Sequence, residues 1–193
     1  MDNLLVIGCG GIGSWFIDSL CRQFLTAQIS LGTVAIADGD IVESSQLEYQ
    51  NFTNLQIGSN KAIVLSERYE AFGIVPIDSY IAEESILDDY DLFILCVDNE
   101  PIRKLLCNYC FSNNRNFLDL RATGRKIMVL PKMTLEENLK FITDDTTHYS
   151  CQEPIDKEKN TFQNGNHVAA EIGIQMLLNI QRGLKNRPVT LLI

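Results

Sequence analysis

No run of about eighteen or more apolar residues occurs in the sequence, so no segment is read as a membrane-crossing helix. An excess of basic residues is missing as well. Sixteen Lys and Arg face 25 Asp and Glu, and the formal charge of −9 argues against nucleic acid as a bulk partner. A single nucleotide is not excluded, because it needs only a local pocket. Histidine is scarce: His148 and His167 are too few to define a catalytic dyad without geometry. The opening Met1-Asp2-Asn3 runs straight into apolar residues, without the basic start and small-residue cleavage site of a secretion signal. A cytoplasmic setting is therefore expected, with Cys9, Cys21, Cys96, Cys107, Cys110 and Cys151 as reduced thiols. What remains, 46% hydrophobic and 21% charged over 193 residues, is the make-up of one well-buried globular unit and not of two.

Apolar runs alternate with helical periodicity along the chain. Residues 3–7 read as a buried strand, followed by a glycine turn and a helix with Ile12, Phe16, Leu20 and Phe24 on one face. Strands are expected at 33–37, 75–81 and 91–97, and helices at 60–72 and 101–110. Residues 116–120 and 126–130 read as two more strands joined by the turn Ala122-Thr123-Gly124, the last free to run antiparallel at an edge. Such alternation implies a Rossmann-like, doubly wound α/β fold with a mostly parallel sheet. Residues 1–193 are read as one unit: a core to about 135, a polar crossover loop over about 136–166, and a C-terminal helix and strand over about 167–193.

Gly8-x-Gly10-x-x-Gly13, with Gly11 inside it, lies between a strand and a helix, the context in which such a turn cradles phosphates. Asp38, 25 residues past Gly13, ends the second strand, where a carboxylate accepts hydrogen bonds from ribose hydroxyls. This pair fits NAD, FAD or ATP equally. Asp38 read alone is also a turn cap, Lys61 a solvated lysine at the start of an exposed helix, and Asp98-Asn99 a helix N-cap.

The segment from Asp38 to Gln50 resembles that of the ThiF/MoeB family, ATP-dependent adenylyltransferases related to ubiquitin-activating enzymes. Asp38, Asp40, Val42, Ser45, Leu47, Gln50, Gly58 and Lys61 keep its pattern. The apolar run 92–97 followed by Asp98, Asn99 and Arg103 is similar to a second family signature, and Gln163-Asn164-Gly165-Asn166 to its return from the crossover loop. The resemblance implies ATP and Mg²⁺ as cofactors and the C-terminal carboxylate of a ubiquitin-like or sulfur-carrier protein as acceptor. It further implies that Asp38 takes the ribose with Asp40 beside it, Lys61 meets the phosphates, Gln50 orients the triphosphate and Asp98 holds the metal. Charge building on the phosphates explains why cations and N–H groups are needed there. A homodimer or heterodimer is also implied.

Three departures stand out. Gln46 and Tyr49 occupy positions where the family has Asn and Arg, and tyrosine cannot supply the bidentate cation of a guanidinium. In this sequence Met1 leads into the first strand, where the family has a helix whose arginine reaches the neighbouring subunit. Two Cys-x-x-Cys pairs hold zinc in many relatives. Here Cys107 and Cys110 form one pair inside a predicted helix, so no zinc is expected. Cys151 sits in the polar loop near His148, where relatives place a thioester-forming or sulfur-handling cysteine. Two other readings compete: a catalytically impaired subunit that binds nucleotide or a partner, and a nicotinamide-dependent oxidoreductase. The latter leaves Lys61 and Asp98 unexplained and has no hydride-chemistry constellation.

Overall fold

A computed structural model describes residues 2–142, 155, 158, 159 and 163–193. The strands are β1 (Leu4–Ile7), β2 (Val34–Ala37), β3 (Val75–Ile77), β4 (Leu92–Leu95), β5 (Asn116–Thr123), β6 (Lys126–Pro131) and β7 (Val189–Leu192). The helices are α1 (Gly11–Leu25), α2 (Lys61–Arg68), α3 (Glu100–Ser112), α4 (Leu135–Leu139) and α5 (Gly165–Gln181). The strands form one sheet in the order β3-β2-β1-β4-β5-β6-β7. The first five are parallel, and β6 and β7 each run antiparallel to their neighbour.

Both faces of the sheet are covered, which is why its central strands are uninterrupted apolar runs. Leu4 and Val6 of β1, Ile36 of β2 and Ile94 of β4 face a core built with α1, α2 and α5. The alternate residues Leu5, Ile7, Ala35, Phe93 and Leu95 face a second core against Leu106, Cys107 and Cys110 of α3. The Cys107–Cys110 spacing is thus one turn of a helix face turned to the core. None of the helices among the described residues is long and apolar enough to cross a membrane.

Several boundaries differ from the expected ones. Strand β3 stops at Ile77, four residues early. Pro76 withholds a backbone donor, and the strand lies at the open edge of the sheet, where that is tolerated. Helix α2 ends at Arg68 and a separate 3₁₀ turn, Glu70–Phe72, leads to Gly73 in the left-handed region. Ala122 and Thr123 belong to β5, so the reversal into β6 falls at Gly124 and Arg125. The antiparallel strand β6 is not the edge, because β7 adds outside it. The stretch expected as loop from 136 begins instead with α4. The Thr134 hydroxyl accepts from Glu137 N–H, and the Glu137 carboxylate accepts from Thr134 N–H, a reciprocal capping box.

A candidate nucleotide site at the switch point

Strand order reverses between β1 and β4, and that crevice at the carboxyl ends of the strands is where doubly wound folds bind ligands. Gly8 has φ +92°, and a Cβ there would lie 2.7 Å from the carbonyl oxygen of Cys96 at the end of β4. A Cβ on Gly13 would overlap the carbonyl oxygen of Gly8. The two glycines let the turn fold back onto its own helix. Gly10 caps α1. No side chain caps the helix and its first turn carries no acid, so its N–H groups and positive dipole end are left for an anion.

The carboxylate of Asp38 braces this turn. Its Oδ2 accepts the Cys9 N–H at 2.6 Å, and its Oδ1 accepts the Asp40 N–H at 2.8 Å. Burial raises its pKa above the ordinary carboxylate value, against the pull of those two N–H groups and Lys61. Burial likewise pushes the Cys9 thiol well above its usual value.

Asn60 sets the position of α2. Its side chain accepts from Ile63 N–H at 3.1 Å and donates to the Asp38 carbonyl at 2.8 Å, fixing the helix start against the end of β2. Lys61 is therefore not a solvated lysine at all. It is 2% exposed, with Nζ 3.3 Å from Asp40 Oδ2. The other Asp40 oxygen accepts from the Tyr80 hydroxyl, which holds that phenol at a pKa of about 12. At the start of α3 the cap is Asn99, whose Oδ1 accepts from Ile102 N–H at 3.1 Å. Asp98 is not the cap, and it lines the cavity.

These groups surround one cavity of about 590 Å³. Gly8, Gly10, Gly11, Asp38, Asp40, Gln50, Lys61 and Asp98 all line it. Gly13 lies beneath the turn as a packing residue and is not in the lining. Cys151 and His148 fall outside the described residues. Gln50 is buried, and its Oε1 has no hydrogen-bond partner among the described residues, nor has Gln46 Oε1. Tyr49 stands at the rim, and its carbonyl accepts from Trp15 Nε1 and Asn166 Nδ2, each at 3.4 Å. Tyr80 and Ile81 complete the wall, and no local motif had singled them out. Among the lining residues three carboxylates face one ammonium. That excess of negative charge suits a hard cation. Mg²⁺, which takes one or two protein carboxylates besides phosphate oxygens and waters, fits Asp98.

A second cavity of about 180 Å³ shares Cys96, Val97 and Asp98 with the first. Its floor is a buried ion network that links α3 to β5. Arg103 pairs with Asp119 and also donates to the Val97 carbonyl, the peptide before Asp98. Arg121 reaches Asp119 at 2.6 Å, Glu100 at 3.2 Å and the Phe141 carbonyl at 2.7 Å.

Comparison with known proteins bears on this geometry. The chain is 28% identical over 131 residues to a tRNA threonylcarbamoyladenosine dehydratase of Haemophilus influenzae, covering 63% of this chain and 48% of that protein. It is 30% identical over 128 residues to the adenylyltransferase and sulfurtransferase MOCS3 of Danio rerio, covering 62% of this chain and 27% of that one. The chain therefore spans less than half the length of these curated relatives. Among solved structures, E. coli MccB with ATP aligns over all of this chain and 60% of its own at a TM-score of 0.70 and 19% identity. The E. coli dehydratase TcdA aligns over 94% of this chain and 86% of its own, also at 0.70, with 15% identity. At such identities the structural likeness speaks for the fold. The ThiF family model matches residues 2–185, nearly the whole chain, and the chain belongs to the ThiF family.

Proposed function

We propose that the chain binds ATP with Mg²⁺ and transfers the adenylyl group to the C-terminal carboxylate of a small ubiquitin-like or sulfur-carrier protein. The observation that carries this reading is the convergence of the glycine turn, Asp38, Lys61 and Asp98 on one cavity. Relatives named as adenylyltransferases and a structural neighbour solved with ATP support it. In this reading Asp38 meets the ribose hydroxyls, while the N–H groups of α1 and Lys61 hold the phosphates. Gln50 orients the triphosphate. Asp98 would hold Mg²⁺, whose charge would offset that building on the α-phosphate and the leaving pyrophosphate. The acceptor enters through the second cavity, beside Asp98. Its carboxylate oxygen forms the bond to the α-phosphorus as the bond to the bridging oxygen breaks, and pyrophosphate departs.

One observation favours a second reading, that of a catalytically impaired subunit which keeps nucleotide binding. Lys61 is the sole cationic side chain lining the larger cavity among the described residues, with Tyr49 at its rim. ATP–pyrophosphate exchange by the purified protein, alone and with a candidate carrier, separates the two. Exchange that requires the carrier and Mg²⁺ supports adenylation. Tight ATP binding without exchange supports the second reading, and stabilisation by NAD in place of ATP sinks both.

A further inference from the structure

Glu100, in the first turn of α3, is 4% exposed and lines the second cavity. Its Oε1 is held by Arg121 Nη1 at 3.2 Å, whereas its Oε2 is buried without a hydrogen-bond partner among the described residues. A buried carboxylate oxygen left unpaired is costly, and native structures pair nearly all such atoms. The opposite charges around it already balance: Glu100 and Asp119 face Arg103 and Arg121. A further charge is not called for: Glu100 Oε2 lacks a donor, and Arg103 Nε, 4.0 Å from Glu100 Oε1, lacks an acceptor among the described residues, a pair of needs that a neutral peptide group meets.

The position of Glu100 narrows what that donor belongs to. The wall Cys96–Asp98 is common to both cavities, while Glu100 faces the smaller one alone. A carboxylate delivered to that wall leaves the group behind it in the chain beside Glu100. In a peptide that group is the backbone N–H of the last residue, within one residue's reach of about 3.5 Å. Ile12, Leu120, Met128 and Phe141 give the cavity an apolar side, and of its other side-chain acceptors Asp98 belongs to the shared wall and Thr123 to the end of β5. We infer, on the adenylating reading above, that Glu100 is a specificity-determining residue. Its free oxygen accepts the last amide N–H of the acceptor, so the site selects peptide carboxylates over carboxylates joined through an ester or a plain alkyl chain.

The test uses ATP–pyrophosphate exchange with two probes, N-acetylglycylglycine and its depsipeptide analogue in which an ester oxygen replaces the last N–H. The wild type is expected to prefer the amide by about tenfold or more in kcat/KM, since a site built to bond an N–H rejects the analogue lacking it. Glu100→Leu should bring the two probes to the same low rate, and Glu100→Gln, which retains an acceptor, should restore part of the preference. A purely structural role for Glu100 would lower both rates together and leave their ratio unchanged. Equal use of both probes by the wild type overturns the inference and leaves the adenylating role standing. So does an unchanged ratio in a folded Glu100→Leu. If a candidate carrier supports exchange yet neither probe does, the proposed tail site falls; if ATP binds and the carrier does not support exchange either, the adenylating role is what fails. If Mg²⁺–ATP does not bind, the adenylating role fails first.

Discussion

Replacing Lys61 with methionine separates the roles of this buried lysine in folding and in binding. Methionine keeps an unbranched stem where Lys61 is 2% exposed, so the packing around that stem changes little. The ion pair that is lost, 3.3 Å to Asp40, has one partner with a side chain 50% exposed, so solvent screening limits it to about 0–1 kcal/mol. Asp40 keeps its bond from Tyr80. Removing an ammonium from a buried site returns part of that loss, so Tm should shift by no more than about 2–4 °C. Nucleotide binding should respond very differently. A hydrogen bond from an ammonium to phosphate contributes about 1.5–3 kcal/mol, which is about 10- to 150-fold in Kd at 1.4 kcal/mol per factor of ten. No second lining cation is on hand among the described residues to take over. Calorimetric titration with Mg²⁺–ATP, beside a thermal melt of the same sample, reads both quantities. A variant that melts like the wild type and binds ATP within threefold of it would refute the placement of the phosphates at Lys61.

Gly13→Ala should destabilise the fold by about 1–3 kcal/mol in a urea melt, because its Cβ overlaps the Gly8 carbonyl and the turn must open. Wild-type stability here would mean the turn is looser than its glycines imply. Asp38 has a raised pKa, so its proton is taken up, as pH falls, before an ordinary aspartate would take one. ATP affinity should therefore begin to decline in acid at a higher pH than an ordinary aspartate would set, and Asp38→Asn should bind weakly with a flatter profile in titrations across pH. Cys9, Cys21, Cys107 and Cys110 are buried with thiol pKa values pushed upward, those of Cys21 and Cys110 to about 12. In mass-spectrometric mapping at pH 8, iodoacetamide should label them only after denaturant is added. Rapid labelling of Cys9 in the native protein would contradict the packed turn.

The parts of this molecule legible in the sequence are those written in local pattern. Four consecutive apolar residues, a glycine turn and a helix at i, i+4 spacing define β1 through α1 without reference to the rest of the chain. The convergence of Asp38, Lys61 and Asp98 was legible through the resemblance of several spaced motifs to one family, since no one residue declared it. Burial was not legible. Lys61 follows the capping residue Asn60, and its enclosure depends on how Asn60 ties to the carbonyls of Asp38 and Asp40. The network of Glu100, Arg103, Asp119 and Arg121 joins a helix to a neighbouring strand about twenty positions away, and charge alone gives no hint of that register. Tyr80 enters the cavity from beyond the edge strand, with no motif to mark it. Helix α4 had a readable signal: Thr134 followed three residues later by Glu137 is the signature of a helix start.

The peptide from Cys96 to Asp98 is a party wall, with one compartment on each side of it. Arg103 grips its middle carbonyl from below, so the wall has little freedom to yield to one tenant without presenting a changed surface to the other. Whatever occupancy of the larger chamber does to affinity in the smaller, the smaller must do in return and by the same factor. Order of arrival then becomes a kinetic matter, settled by which occupant finds its door first.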